Sequence, residues 1–196
     1  NRIGIKPVGV FEPQKADSTV WVLLRHASVD SFATATSKLL ADKKYLKKGA
    51  DFLDADPKTP AFSRVETSFM KSFAGIPTIE QPNTGEGRVF ELRRYMSPTV
   101  KAGQKKIEMF NNGEIDIMRR VGMGPVIYGE HLTGPDMPNL TYILSYPSMR
   151  ERGAAWSRFG KDPAWKEISG KPEYANSAIL SGIVSFYLEP TAYSQI

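Results

Sequence analysis

Three side chains at alternating positions offer the clearest chemistry in this sequence. Glu91, Arg93 and Tyr95 are spaced two apart in Phe90-Glu91-Leu92-Arg93-Arg94-Tyr95. If the segment is a strand, its alternation puts all three on one face and Phe90 and Leu92 on the other. A carboxylate, a guanidinium and a phenol on a half-buried face can bind an anionic or carbonyl ligand, or orient a reacting group. The same trio can equally be a structural ion pair that fixes strand pairing. The apolar face is expected to meet helices and the polar face to point toward a second sheet.

Other residues invite similar double readings. His131 follows Glu130 at a strand end and can act as a general base or haem ligand, or simply be a surface or supporting residue. His26 lies at a place not equivalent to it, and no spacing of His, Asp and Glu matches a metal motif. Trp156 and Phe159 lie three apart on a helix, with Trp165 to follow; they can line an aromatic pocket or pack helix against sheet. Glu91, Arg93, Tyr95, His131 and Trp156 therefore form the candidate ligand-binding set. No catalytic set, metal or cofactor is assigned. The run from Lys43 to Lys48 interleaves basic and aromatic residues, but its length and the aspartates after it read as a solvated helix end. Gly122-Met123-Gly124 precedes a strand, whereas a dinucleotide loop follows one. The Gly-x-Ser-x-Gly elbow is absent from the sequence.

The elements that position these residues fall into two series. In residues 1–80, strands are expected over 4–12, 19–25 and 64–73, with a helix over 29–41 capped by Ser28 and a loop over 51–62. Residues 81–87 read as a linker. In residues 88–196, strands are expected over 88–95, 125–132, 140–146 and 182–189. A helix opened by Ser97-Pro98 should run to Arg120, bent at Asn112-Gly113. A second helix opens on a Ser148/Glu151 capping box, and Asp162-Pro163 starts a further piece.

The two series repeat. Gly4 to Val8 matches Gly122 to Val126, Val20 to Leu23 matches Thr141 to Leu144, Asp42 matches Asp162, and Ser68-Phe69 matches Ser185-Phe186. The order never breaks, and the offset stays within about 117–121 residues. The second series has the strand-helix-strand-strand-helix-strand order of a ferredoxin-like unit. The first begins at that unit's second strand. Its first strand and helix are expected roughly thirty residues ahead of Asn1 by repeat register.

The second series also resembles a known family. The strand Phe90 to Tyr95, the segments Pro138 to Tyr142, Arg152 to Phe159 and Asp162 to Lys166, and the ending Leu188 to Ser194 are similar to those of NIPSNAP proteins. Residues 1–80 resemble that family's degenerate first copy. The resemblance implies a dimeric α/β-barrel arrangement, in which two ferredoxin-like sheets pack face to face; with the repeat, the expected fold is α+β, two tandem ferredoxin-like units, and the absent first strand and helix of the first unit are the departure from the family. It implies an intrachain pseudo-dimer or a homo-oligomer, and it carries no agreed reaction or catalytic set.

Bulk properties leave function open. The chain has 196 residues, a net charge of +5 and no cysteine, so disulfides and thiol chemistry are excluded. Basic and acidic residues are mixed along the chain, unlike the clustered charge of a nucleic-acid binder. No apolar run is long enough to span a bilayer. The compartment is undetermined, with export after signal removal as the alternative. Two functions are expected: a non-enzymatic protein that binds a small ligand or self-associates, and a cofactor-independent oxygenase- or isomerase-like enzyme. A pocket of several hundred cubic ångströms beside the polar trio favours the enzyme; a face filled by side chains favours the first.

Overall fold

The computed structural model describes residues 2–15 and 17–196. The second half supplies the centre of the fold. Strand β4 (Val89–Met96) pairs antiparallel with β6 (Asn139–Tyr146) on one side and β7 (Gly182–Pro190) on the other. Strand β5 (Gly124–Thr133) pairs with β6 across a bulge near Pro125 and Ile127. The order β7-β4-β6-β5 is that of the split βαβ unit. The first half adds to both of its edges. Strand β1 (Val8–Pro13) pairs with β7 and with β2 (Trp21–Leu24), while β3 (Phe69–Ser72) pairs with β5. The result is one curled antiparallel sheet of seven strands, β2-β1-β7-β4-β6-β5-β3.

Local chemistry explains the helices. Between β2 and β3 lie α1 (Val29–Ala33), α2 (Ala35–Leu40) and α3 (Lys43–Leu53). Ser28 caps α1 as expected, and Asp42 caps α3 by accepting from the amides of Lys44 and Tyr45. The lysine run is thus the first part of a capped helix that reaches into the segment expected as loop. In the second half, α4 (Val100–Met109) is capped by Thr99, not Ser97. The Ser97 amide still donates to the Pro138 carbonyl at 3.0 Å, so the chain leaves the sheet only after it. The expected bend is a wide turn over Phe110–Glu114. Gly113 adopts φ +130° there, a conformation that favours glycine, before α5 (Ile115–Arg120) resumes. Ser148 caps α6 (Met149–Lys161), and Asp162 caps α7 (Pro163–Ser169); a short α8 (Asn176–Ile179) precedes β7.

The sheet has a core on each face. On the helix-covered face, Tyr95, Tyr128, Tyr142 and Leu144 pack with Phe110, Ile115 and Phe159. On the concave face, Phe90, Leu92, Val126, Ile143 and Leu188 pack with Phe11 and Ile196, and Trp21 and Leu23 lie against them. This reverses the expected orientation of β4: its polar face meets the helices and its apolar face meets the first half. The reason is partner chemistry. Helix α6 supplies Arg152 and Trp156 to the polar side, whereas β1 and β2 offer Phe11, Trp21 and Leu23.

Candidate functional site

Glu91 is fully buried, and its carboxylate accepts from four side chains. Arg152 donates from Nε and Nη2 at 2.9 and 2.7 Å, Arg93 from Nη1 at 2.9 Å, and Trp156 from Nε1 at 2.8 Å. The Tyr146 hydroxyl adds a bond at 3.3 Å. Burial pushes the Glu91 carboxyl up, but the bonds from Arg152, Trp156 and Arg93 outweigh it and hold the group below the usual range. Arg93 continues the network: its Nε donates to the Tyr95 hydroxyl at 3.3 Å, and the Tyr142 hydroxyl donates to the same oxygen at 2.8 Å. The Arg93 guanidinium also lies 4.8 Å from the Trp156 ring. The structure thus brings together Glu91, Arg93, Tyr95 and Trp156, with Arg93 touching each of the other three.

A second buried pair lies beside this network. Lys106 Nζ donates to Glu114 Oε2 at 2.7 Å, and both side chains are only 2% exposed. The ammonium sits 4.3 Å from the Phe110 ring, and Tyr128 and Tyr142 stack nearby at 4.8 Å. Burial raises the Glu114 carboxyl despite the charge of Lys106. Sequence reasoning missed this pair because the two residues lie on either side of the turn at Gly113, and helical spacing does not carry across it.

His131 stands apart from the other four. It shares the opposite face of the sheet with Thr141, whose Oγ1 is 2.9 Å from His131 Nε2. Burial, and then the charge of Arg94, push its pKa down to about 4. Arg94 was not singled out from the sequence, yet strand alternation puts it on the concave face with Phe90 and Leu92. Its Nη1 donates to Asp136 at 3.0 Å. Among the described residues, the buried atoms without a hydrogen-bond partner are Trp21 Nε1, Arg88 Nε, Arg94 Nε, Ser97 Oγ, His131 Nδ1 and Asn139 Oδ1. The signal for Arg94 is the charged residue interrupting the apolar alternation Phe90, Leu92, Met96.

Two hollows accompany these groups. A cleft of about 100 Å³ lies between α4 and the β5–β6 turn, lined by Gln104, Ile107, Glu130, His131 and Asn139 among others. Small-molecule sites typically occupy about 300–1,000 Å³. An open depression of about 680 Å³ is bounded by Lys6, Pro7, Ile79, Gln81 and Gln195, and Ile79 packs against the concave core. Neither hollow is lined by Glu91, Arg93, Tyr95 or Trp156. Among the described residues there is no cluster of three or more metal-ligating side chains. No helix among them is long and apolar enough to cross a membrane.

The strand order and the helix-covered polar face define a mixed α/β protein built on a curled antiparallel sheet. The NIPSNAP family profile matches residues 90–195, and the chain belongs to that family. An uncharacterized NIPSNAP-like domain protein from Burkholderia xenovorans is 17% identical, with a TM-score of 0.50 over 57% of this chain and 92% of its own. A NIPSNAP family protein from Agrobacterium tumefaciens is 18% identical, with a TM-score of 0.50 over 56% of this chain and 98% of its own. The "putative monooxygenase" of Lactobacillus acidophilus is 12% identical, with a TM-score of 0.60 over 93% of this chain and 75% of its own. At these identities the likeness is one of fold. No curated protein matches the chain in sequence.

Proposed function

We propose that this chain is a non-enzymatic binding protein that holds a small amphipathic molecule against the concave face of its sheet. One observation carries the reading: buried polar atoms of this face, Arg94 Nε and His131 Nδ1 together with Arg88 Nε and Trp21 Nε1, lack partners beside a core of Phe, Leu, Val and Ile. Buried polar groups are normally hydrogen-bonded, so these unpartnered atoms support a ligand that supplies what they lack. The arginine and tryptophan nitrogens can only donate. The ligand therefore has an apolar body and an acceptor-bearing head, a carboxylate or a carbonyl. The pairing of β1 with β7 and of β3 with β5 supports an intrachain pseudo-dimer of two repeats, residues 1–80 and 88–196, joined by 81–87. Native mass spectrometry of the protein, as purified and after addition of hexanoate, tests the reading: a one-to-one adduct is expected.

The oxygenase- or isomerase-like alternative has less support. Arg93 and Tyr95 bond to each other and to Glu91 and Tyr142, and the cleft nearest His131 is only about 100 Å³. Helix and sheet are packed together where that chemistry needs space.

A further inference from the structure

Helix α3 presents its rows of side chains unequally. Residues four apart on an α-helix lie one above the other and form a row. The row Tyr45, Gly49 and Leu53 is half-buried throughout, so it turns toward the rest of the protein. The row beside it, Lys44, Lys48 and Phe52, is exposed throughout, and so is the next, Lys43, Lys47 and Asp51. No residue of the helix is buried. Phe52 is 55% exposed, and its ring lies 5.5 Å from that of Phe62, itself 50% exposed, in the segment between α3 and β3. Single exposed apolar residues need no explanation. Two rings in contact at the end of a lysine row do.

The charges of this surface are unspent. Among the described residues, none of Lys43, Lys44, Lys47 and Lys48 forms an ion pair. Asp42, just before them, is occupied by Arg2 and by the amides of Lys44 and Tyr45. The helix itself therefore carries four lysines and one aspartate. Cations in a row that ends on apolar rings suit a boundary that is anionic outside and apolar beneath.

We propose that the row Lys44, Lys48 and Phe52, with Phe62, docks the protein on an anionic lipid surface. The helix lies along that surface. The ammonium groups reach lipid phosphates and carboxylates, and the two rings enter the boundary between headgroups and acyl chains. Other occupants fit less well. Two rings fall far short of the roughly 1,000 Å² that a specific protein interface buries. Nucleic-acid bases stack on open ring faces, whereas these rings partly cover each other, tilted by 35°. Asp51 on the row behind, and Asp54 and Asp56 after the helix, weaken the attraction, so the rings are needed as well as the lysines. The contact is separate from the ligand reading, because none of the residues packed in the concave core lies on α3.

Co-sedimentation tests this with two kinds of vesicle: phosphatidylcholine alone, and phosphatidylcholine with phosphatidylserine as roughly a third of the lipid. Binding to the second kind only is expected, and it should fall as salt rises. Lys44→Glu/Lys48→Glu should weaken binding at least tenfold, at about fivefold for each lysine lost. Phe52→Ser should weaken it about tenfold, through the apolar area no longer buried. All three positions are exposed, so both variants should keep the wild-type circular dichroism and melting temperature. A protein that does not bind the serine-containing vesicles overturns the proposal. Binding that survives the double charge reversal, or that Phe52→Ser leaves unchanged, overturns it too. So does tighter binding to poly(U) RNA than to the vesicles, or a concentration-dependent dimer that Phe52→Ser abolishes, because this surface would then serve a nucleic acid or a second copy of the chain.

Discussion

Arg152 of α6 grips Glu91 of β4 with two parallel bonds, Nε to Oε2 at 2.9 Å and Nη2 to Oε1 at 2.7 Å. The two residues are 61 apart in sequence and tie a helix to the central strand of the sheet. Breaking a buried pair by removing one partner costs about 3–5 kcal/mol, because the other charge stays behind. Glu91→Ala should therefore destabilise by about that amount, leaving Arg152 and Arg93 facing each other without a carboxylate. Urea denaturation measures it. A loss below about 1 kcal/mol would contradict a structural role for this network.

Arg93→Ala separates the structural reading of the trio from the catalytic one. It removes one bond to Glu91, one to the Tyr95 hydroxyl, and the contact with the Trp156 ring. A loss of about 2–4 kcal/mol is expected, at the scale of a broken charged hydrogen bond and a lost cation–π contact. Ligand binding at the concave face should be unchanged, since Arg93 lies on the opposite face. A variant that folds with unaltered stability but no longer binds would place the ligand against the helices instead.

His131 makes stability depend on pH in a defined window. Its folded pKa is lowered to about 4 from an ordinary value of 6.5. Above pH 6.5 the ring is neutral in both states and the fold has its full stability. As pH falls from 6.5 toward 4, the unfolded chain takes up the proton first, and stability is lost, up to about 3 kcal/mol. Denaturation at pH 7 and pH 4.5, for the wild type and for His131→Gln, isolates this contribution. The variant should show a flatter dependence between the two; identical slopes would remove His131 from the account.

Gly134 should resist substitution. It adopts φ +144°, and an added Cβ would come within 2.6 Å of Ser68 Oγ and 3.1 Å of His131 Nδ1. Gly134→Ala is expected to cost about 1–3 kcal/mol through backbone strain and displacement of these neighbours. The melting temperature reports it, and a neutral result would mean that the turn relaxes freely.

Much of the fold was legible because its signals are local. Capping by Ser28, Ser148 and Asp162, and the break at Gly113, depend on a few neighbouring residues. The site was legible only in part. Alternation grouped Glu91, Arg93 and Tyr95 correctly, but alternation cannot say which face a helix will cover. That depended on Arg152 and Trp156, distant residues whose partner was invisible in the sequence. His131 was singled out for its chemistry, yet its neighbours Arg94 and Thr141 come from strands joined to it only by the sheet order. The buried Lys106–Glu114 pair was hidden by the turn between them.

The most direct test is native mass spectrometry with hexanoate on the wild type and on Arg94→Ala. Binding at the concave face predicts a one-to-one adduct for the wild type that is lost, or weakened at least tenfold, in the variant, with both proteins folded by circular dichroism. An adduct that survives Arg94→Ala at full strength, or a wild type that forms none, would contradict it.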